Sequence, residues 1–181
     1  MELIKLAEHL HDLGLNVFPV IIVGSKKLPY LPTQKESYKW SHLKETRLSK
    51  EQLQTELKLA IENKKVVFLG ILPGLITEGK YKNNYFFSID FDKKDCLEIL
   101  KINSEICKEK HIWIEPSLSK GYHLYGITND KMKWNKQLEL GIELFPDSTY
   151  FITLYNNEKF EPYELQPGNL NALYDNWCKE S

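Results

Sequence analysis

The sequence is poor in the features that mark several protein classes. Its three cysteines, Cys96, Cys107 and Cys178, are too few and too scattered for a disulfide framework, and their odd number is typical of a reducing compartment. No apolar run reaches the roughly 18 residues of a membrane span, and the first residues lack the pattern of a secretory signal. We therefore expect a cytoplasmic protein with no membrane partner.

The cysteines also argue against a zinc site. Cys96, Cys107 and His111 lack the tight ligand pairs of structural zinc, and the sequence suggests no fourth ligand. We expect no zinc, and we interpret these cysteines as ordinary thiols on a helix.

The sequence also lacks an excess of either positive or negative charge. The chain has 24 basic and 25 acidic residues, so its formal net charge is -1. A polyanionic partner would therefore have to be held by a local basic surface and not by the field of the whole molecule. With 42% hydrophobic and 27% charged residues, the composition is that of a globular protein.

Hydrophobic periodicity predicts helices first and mostly strands afterwards. We expect helices over 2–13 and from Ser49 to about 63, a strand NVFPVIIV in which Pro19 indicates an edge or a bulge, and a long loop over 24–47. A helix of about four turns is expected after Asp92. The other expected strands are VVFLGIL, the strand in YFFSIDFDKK that runs to Asp92, HIWIE, YHLYGI, LELGIELF, TYFITLY and KFEPYEL. The predicted fold class is α+β, with a mainly antiparallel sheet flanked by helices.

The length of 181 residues suits one domain. We divide this single domain, 1–181, into an N-terminal αβ unit over about 1–80, a sheet with candidate metal ligands over about 84–165, and a C-terminal helix over about 168–179.

Two carboxylates stand at the end of the apolar run YFFSIDFDKK. Because strand side chains alternate, Asp90 and Asp92 are predicted to share one face, where their charges repel unless a cation neutralises them. Such hard oxygen ligands suit Mg²⁺ or Mn²⁺. The alternative is a solvated strand end, where acidic residues are common.

A third acid, Glu143, lies between Ile142 and Leu144 in an otherwise apolar strand. It would either complete an inward-facing acidic cluster or, with Glu139, mark the wet face of the strand.

The stretch SLSKGYHLYGI combines a polar loop with a histidine. Backbone amides near Gly121, together with Ser119, Lys120 and His123, would suit a triphosphate. A histidine that satisfies only structural hydrogen bonds is the alternative.

In chain order the motifs are Asp90-x-Asp92, Ser119-x-Gly121-x-His123, and Glu143 between hydrophobic residues. This order resembles the catalytic core of the archaeo-eukaryotic primase superfamily, in particular the primase-polymerase (prim-pol) domains of plasmid and viral replication proteins. Upstream, GLNVFPV, the stretch from Lys26 to Pro29, Trp40 and FLGILPG resemble further parts of the prim-pol pattern.

The resemblance implies a prim-pol core, with an RRM-like half beside the N-terminal αβ unit. It implies a DNA-dependent primase or polymerase that makes or extends primers in the replication of a plasmid, virus or other mobile element. Two Mg²⁺ or Mn²⁺ ions would be held by the catalytic residues Asp90, Asp92 and Glu143. His123, with Ser119, Lys120 and Gly121, would contact the triphosphate of the incoming nucleotide.

Lys26 and Lys27 are weighed as ligands of a nucleotide or template phosphate against the alternative of a solvated loop. The expected partners are a single-stranded DNA template and NTP or dNTP substrates, and a separate helicase or other replication protein is left open.

Two other functions remain open at this stage. One is a noncatalytic replication or defence module that binds nucleic acid or nucleotide. The other is a metal-dependent nuclease that uses the same acids.

Overall fold

The computed structural model of the chain describes residues 2–64, 66–92, 113–117, 121–129, 131, 135–137, 141–147, 150–155 and 164–165. Within these ranges there are two α-helices, a short 3-10 helix at Ser41–Lys44 and a set of strands. They are α1 (Glu2–Asp12), α2 (Lys50–Asn63), β1 (Asn16–Val23), β2 (Lys26–Pro29), β3 (Phe68–Leu72), β4 (Gly74–Leu75), β5 (Tyr85–Phe91), β6 (Trp113–Pro116), β7 (Tyr122–Thr128), β8 (Asn135–Gln137), β9 (Ile142–Phe145), β10 (Ile152–Leu154) and β11 (Glu164–Leu165).

The strands form two sheets in which every pairing is antiparallel except that of β11 with β7. The fold is α+β, with antiparallel sheets flanked by two helices in the described part of the chain, and the predicted class is confirmed.

The chain divides into two compact units. The first comprises Met1–Leu72, Ile76–Lys82 and Tyr150–Asn157, and the second comprises Pro73–Leu75, Asn83–Thr149 and Glu158–Ser181.

The first unit contains a sheet with the strand order β10-β3-β1-β2, and both helices pack against β1. Leu10 of α1 and Leu57 of α2 are fully buried, and each such leucine contributes on the order of 1.5–3 kcal/mol to folding. The helix α1 ends where Gly14 adopts a φ of +102°, a conformation that favours glycine. At the start of α2, Ser49 and Gln52 form the predicted capping box, each side chain bonding to the other residue's backbone N–H.

The edge predicted for Pro19 is wrong, because β1 is an interior strand with β2 on one side and β3 on the other. The alternative, a bulge, is wrong as well, because the register of β1 with β3 runs unbroken through Pro19. The Pro19 carbonyl accepts a hydrogen bond from the Tyr30 N–H at 2.9 Å. Proline has no N–H with which to return a bond. The N–H that Pro19 lacks would face Tyr30, one residue past the end of β2 at Pro29, so the pairing of β1 with β2 loses no hydrogen bond within its own range.

The long loop predicted over 24–47 is only partly a loop. It contains β2, which forms a hairpin with β1, and the 3-10 helix at Ser41–Lys44. The strand was not predicted, because Lys26 and Lys27 are polar and suggest a loop. An edge strand can nevertheless carry exposed lysines, as β2 does.

The segment TYFITLY, which the sequence interpretation groups with the sheet over 84–165, contributes β10 to the sheet of the first unit. There Ile152 lies opposite Ile71 and Leu154 lies opposite Leu69. A three-residue apolar strand does not reveal from its own pattern which sheet edge it joins.

The second unit contains a sheet with the strand order β11-β7-β5-β9-β8, with β4 also paired to β5 and β6 also paired to β7. Of the strand predicted for LELGIELF, residues 138–140 lie outside the described residues, and the rest corresponds to β9. The strand β9 begins at Ile142, directly after the turn residue Gly141, whose φ is +66°.

Several predictions lie outside the described residues: the helix expected after Asp92, the C-terminal helix over 168–179, and the part of KFEPYEL before Glu164. In the ranges that are described, no helix has the length and apolar character needed to cross a membrane.

Candidate functional site

The strand β5 presents one apolar face and one mixed face. Phe87, Ile89 and Phe91 alternate with Ser88 and Asp90, and the first three are fully buried. Asp90 is partly open, with 27% of its side chain exposed. The apolar residues therefore anchor the strand while the Asp90 side chain stays partly accessible on the opposite face, as the alternating sequence predicts.

A single row of polar residues crosses the second sheet. Glu115 on β6 lies opposite His123 on β7, His123 lies opposite Asp90 on β5, and Asp90 lies opposite Glu143 on β9. Directly opposed residues in antiparallel strands share a face, with Cβ atoms about 4.5–5.5 Å apart. The sheet thus brings together three of the predicted site residues and adds Glu115. We call these four residues the acidic row.

Asp92 lies just beyond this row, because β5 ends at Phe91. Its side chain is exposed, and its backbone N–H donates to the Gly141 carbonyl at 2.8 Å. This hydrogen bond continues the register between β5 and β9 two positions past the pair Asp90–Glu143. That the Asp92 side chain shares the face of Asp90 stays a prediction.

His123 is 3% exposed, and both of its ring nitrogens face polar groups. Nε2 lies 3.5 Å from Oδ1 of Asp90. Nδ1 lies 2.9 Å from the Tyr125 hydroxyl oxygen and 3.5 Å from Oε1 of Glu115. The ring therefore bridges a fully buried carboxylate and a partly exposed one.

Sequence reasoning missed Glu115, whose carboxylate is fully buried and accepts a 2.6 Å hydrogen bond from the Tyr125 hydroxyl. A signal was present, since Glu115 follows Ile114 at the end of an apolar strand much as Glu143 follows Ile142. Its contact with His123 depends on the hairpin register of β6 and β7, which the pattern of one strand does not specify.

The hairpin loop between β6 and β7 is closed by hydrogen bonds between Ser117 and Gly121. The Ser117 N–H donates to the Gly121 carbonyl at 2.9 Å, and the Gly121 N–H donates to the Ser117 hydroxyl at 3.1 Å. A Cβ atom on Gly121 would overlap the carbonyl oxygen of Phe91 and come within 3.3 Å of the Asp92 Cα. Glycine is therefore required by the close approach of this loop to the end of β5. The predicted ligands Ser119 and Lys120 lie outside the described residues.

Lys27, the remaining predicted ligand, belongs to the first unit. It lies on the edge strand β2 with an exposed side chain, and its ammonium stands 5.1 Å from the centre of the Tyr155 ring. Tyr155 in turn contacts Phe68 edge to face.

The donors of the acidic row are compatible with a hard divalent cation. Asp90 and Glu143 offer carboxylate oxygens from directly opposed positions, and Mg²⁺ often binds through one or two carboxylates while keeping waters and substrate phosphates as its other ligands. Among the residues that the structure describes, no group of three His, Cys, Asp or Glu side chains is assembled as a metal site.

Comparisons with known proteins add no relative. No protein-family model matches the chain, and no curated protein sequence matches it.

Proposed function

We propose that this chain is a DNA-dependent primase-polymerase of the archaeo-eukaryotic primase type, which joins nucleotides with the help of two divalent metal ions. The observation that most supports the proposal is the register of the second sheet. His123 and Glu143, from the second and third sequence motifs, lie directly on either side of Asp90 from the first motif.

Charge repulsion between two carboxylates of the acidic row favours the binding of a cation. Like charges directly opposite each other in a sheet are destabilising, so the pair Asp90–Glu143 favours a bound cation. We propose that these two residues, with Asp92 at the end of β5, hold the metal ions. When bound, the ions would activate the primer 3′-hydroxyl and neutralise the leaving pyrophosphate.

The reaction is a nucleotidyl transfer. The hydroxyl oxygen of the primer gives up its proton to water and forms a bond to the α-phosphorus of the incoming nucleotide, the bond from that phosphorus to the bridging oxygen breaks, and pyrophosphate leaves. We propose that His123 contacts the triphosphate through Nε2, the nitrogen on the Asp90 side. Ser119, Lys120 and Gly121 would form the loop around it.

The partners proposed with this activity are a single-stranded DNA template and NTP or dNTP substrates in the cytoplasm, in the replication of a plasmid, virus or other mobile element. Lys27 is a proposed phosphate ligand, supported by its exposed position beside the aromatic ring of Tyr155. Lysines beside aromatic rings are typical of surfaces that bind single strands.

The test is nucleotide incorporation with Mg²⁺ or Mn²⁺, measured both as extension of a labelled primer and as de novo dinucleotide synthesis. Asp90→Asn and Glu143→Gln are expected to lose more than the ~10- to 100-fold that loss of an outer-shell partner of a metal costs. Glu62→Gln is the matched control, because it removes one charge at the exposed end of α2. Equal incorporation by wild type and by both site variants would refute the proposal.

A noncatalytic nucleotide-binding module is the second candidate. It is favoured by one observation, which is that no three-ligand metal group is assembled among the described residues. This function predicts nucleotide or DNA binding that survives Asp90→Asn, and no incorporation by the wild type. Release of nucleotides from labelled DNA in the same assay would instead indicate a metal-dependent nuclease.

A further inference from the structure

Aromatic rings cover one face of the sheet in the first unit. Phe18 on β1 and Thr153 on β10 both lie opposite Gly70 of β3, so these three residues share the face. The ring of Phe151 contacts the fully buried Phe18 edge to face, with ring centres 5.5 Å apart. Trp40 contacts Phe151 in the same manner at 5.6 Å. Trp40 and Phe151 are half-buried, so this outer layer of rings is partly open to solvent.

A second pair of rings lies at the other end of β10 on the same face. Tyr155 contacts Phe68 edge to face, with ring centres 5.4 Å apart, and both are half-buried. Phe68 shares the face of Gly70, because the two are separated by one residue of β3. From Phe151 to Tyr155 the chain advances four residues, or about 13 Å at the rise of a strand. We call the half-buried rings Trp40, Phe151, Phe68 and Tyr155 the aromatic strip.

A lysine stands at each end of the aromatic strip. Lys44 Nζ lies 4.9 Å from the centre of the Trp40 ring, and Lys27 Nζ lies 5.1 Å from the centre of the Tyr155 ring. Both lysines are exposed, and both belong to the first unit, as the strip does. Because the formal net charge of the chain is -1, a polyanion has to be attracted locally. These two cations provide such an attraction.

The chemistry of the strip favours a single strand of nucleic acid. Unpaired bases of any sequence stack on aromatic rings, while lysines contact the phosphates. An exposed contact between a lysine and a ring is weaker than the stacking of a base on that ring, so the lysines can exchange the rings for phosphates when bases stack. The Thr153 hydroxyl, between the two ends of the strip, is buried. It is therefore not available to a ribose 2′-hydroxyl, the group by which proteins distinguish RNA from DNA.

We propose that the aromatic strip, with Lys27 and Lys44, is a docking surface for single-stranded DNA. Bases would stack on its rings without regard to sequence, and the two lysines would contact phosphates. This extends the role proposed for Lys27 to a surface with a second anchor at Trp40. The docking of a single strand follows from the strip alone, whereas the identity of that strand as the template rests on the proposed function. About four stacked nucleotides, at about 3.4 Å each, would span the distance from Phe151 to Tyr155.

The test is the binding of a fluorescein-labelled oligo(dT) to the full-length protein, measured by fluorescence anisotropy without divalent metal. Tyr155→Leu and Trp40→Leu are each expected to weaken binding roughly 5- to 150-fold, the range for the loss of one stacked base. Tyr38→Leu is the matched control, because Tyr38 is 49% exposed and packs on Tyr30 outside the strip. Unchanged affinity in both strip variants, or an equal loss in Tyr38→Leu, would overturn the proposal.

The lysines allow a test that does not depend on folding, since both are exposed. Lys27→Gln and Lys44→Gln are each expected to reduce the slope of log K against log salt concentration by about 0.7, the value for one phosphate contact to a single strand. Lys58→Gln, at an exposed position of α2, should keep the wild-type slope. A wild-type slope in the double variant of Lys27 and Lys44 would refute their contact with phosphates.

Competitor strands test the identity of the partner. The same oligo(dT) annealed to its complement is expected to compete more weakly than the free strand, because its base faces are already stacked within the duplex. Equal competition by the duplex would mean that charge alone drives binding, and it would overturn the docking of a single strand. Much tighter binding of oligo(rU) would overturn the assignment to DNA.

Nucleotide incorporation separates this inference from the proposed function. Asp90→Asn is expected to bind oligo(dT) as the wild type does, because Asp90 belongs to the second unit and not to the strip. If the wild type does not incorporate nucleotides but the strip variants lose affinity, the proposed function fails and the docking surface stands. If the wild type incorporates nucleotides and the strip variants bind DNA normally, the docking surface is refuted and the proposed function stands.

Discussion

Asp90 is a charged residue within a largely buried strand, and the residues on either side of it explain how the strand accommodates the charge. The buried residues Ile89 and Phe91 fix the strand, and Asp90 keeps 27% of its side chain open. The Asp90 carboxylate is then accessible on the sheet face that it shares with His123 and Glu143. At the scale of single residues, the pairing register of the strands determines which side chains meet Asp90 at the candidate site.

Gly121 provides a prediction at this scale. In Gly121→Ala the new methyl group would overlap the Phe91 carbonyl, so the loop or the end of β5 must move. We expect a loss of about 1–3 kcal/mol in the free energy of unfolding, measured by urea denaturation. The backbone amide signals of Phe91 and Asp92 should shift in the NMR spectrum.

Gly24→Ala is the comparison, because its methyl group would meet nothing within 4 Å. Its positive φ also opposes a side chain, so some loss of stability is expected there as well. The amide signals of Phe91 and Asp92 should not move in this variant. If Gly121→Ala leaves those signals in place, the close approach of Gly121 to β5 is wrong.

The sequence allowed Asp90, His123 and Glu143 to be selected, because period-two alternation and motif order are local properties. It did not identify Glu115, whose role depends on which residue of β7 lies opposite it. The sequence of one strand predicts which residues share a face, whereas the contacts between strands depend on their pairing register.

At the scale of elements, a buried glutamate on α2 ties the helix to the preceding loop. Glu56 is 2% exposed, and it accepts hydrogen bonds from the Thr33 N–H at 3.1 Å and from the Thr33 hydroxyl. Together these bonds hold the chain near Thr33 against the middle of the helix.

Glu56→Ala is expected to lower the free energy of unfolding by about 1.5–3 kcal/mol, the range for hydrogen bonds to a charged group. Trypsin should also cut faster after Lys35 and Lys39, which follow Thr33 in the chain. Urea denaturation and timed proteolysis measure the two effects. Glu62→Ala, at an exposed position of the same helix, is the control. Similar losses of stability in both variants would contradict this role of Glu56.

The pair of Asp12 on α1 and Lys50 on α2 predicts a pH dependence. The Lys50 ammonium donates to both carboxylate oxygens of Asp12, at 2.8 and 2.7 Å, and this hydrogen bonding lowers the pKa of Asp12. A lowered pKa in the folded state stabilises the fold above the unfolded pKa, about 3.9 for aspartate. That stabilisation is lost as the pH falls through the folded value.

Lys50→Gln is therefore expected to be slightly less stable than the wild type at neutral pH, and the difference should vanish once Asp12 is protonated in both. The effect is small because 58% of the Asp12 side chain is exposed and screened by water. Urea denaturation at a series of pH values measures it, with Lys58→Gln on the exposed face of α2 as the control. A difference that persists in acid would show that Lys50 acts by another route.

Elements with strong local signals were the ones that could be predicted. The strand β1 and the helix α2 match closely, because an apolar β-branched run and a capping box are complete within a few residues. The strand β2 was missed because its residues Lys26 and Lys27 are polar and exposed, and only pairing with β1 makes them a strand.

At the scale of the whole molecule, the first unit is discontinuous. Its chain leaves after Lys82 and returns only with the segment Tyr150–Asn157, which supplies β10 as the edge strand beside β3. Leu154 of this strand is fully buried. Without β10, the outer edge of β3 would have unpaired backbone groups and an incomplete core.

A fragment of residues 1–82 is therefore expected to be poorly stable alone and to gain stability when a peptide of residues 150–157 is added. Thermal unfolding with and without the peptide measures this gain. The same peptide carrying Leu154→Asp is the control, because it would bury a charge in the core. If the native peptide changes nothing, or the control peptide works as well, the pairing of β10 with β3 is not needed for this unit.

The central claim of this account is that Asp90 and Glu143 of the acidic row, together with Asp92, hold the metal ions used for nucleotidyl transfer. The most direct measurement is anomalous X-ray scattering from Mn²⁺ in crystals of the full-length protein grown with Mn²⁺ and a nonhydrolysable nucleotide. The account predicts manganese peaks in contact with carboxylate oxygens of Asp90 and Glu143 and with the phosphates of the nucleotide. Manganese bound only to the nucleotide, with neither carboxylate among its ligands, would contradict it.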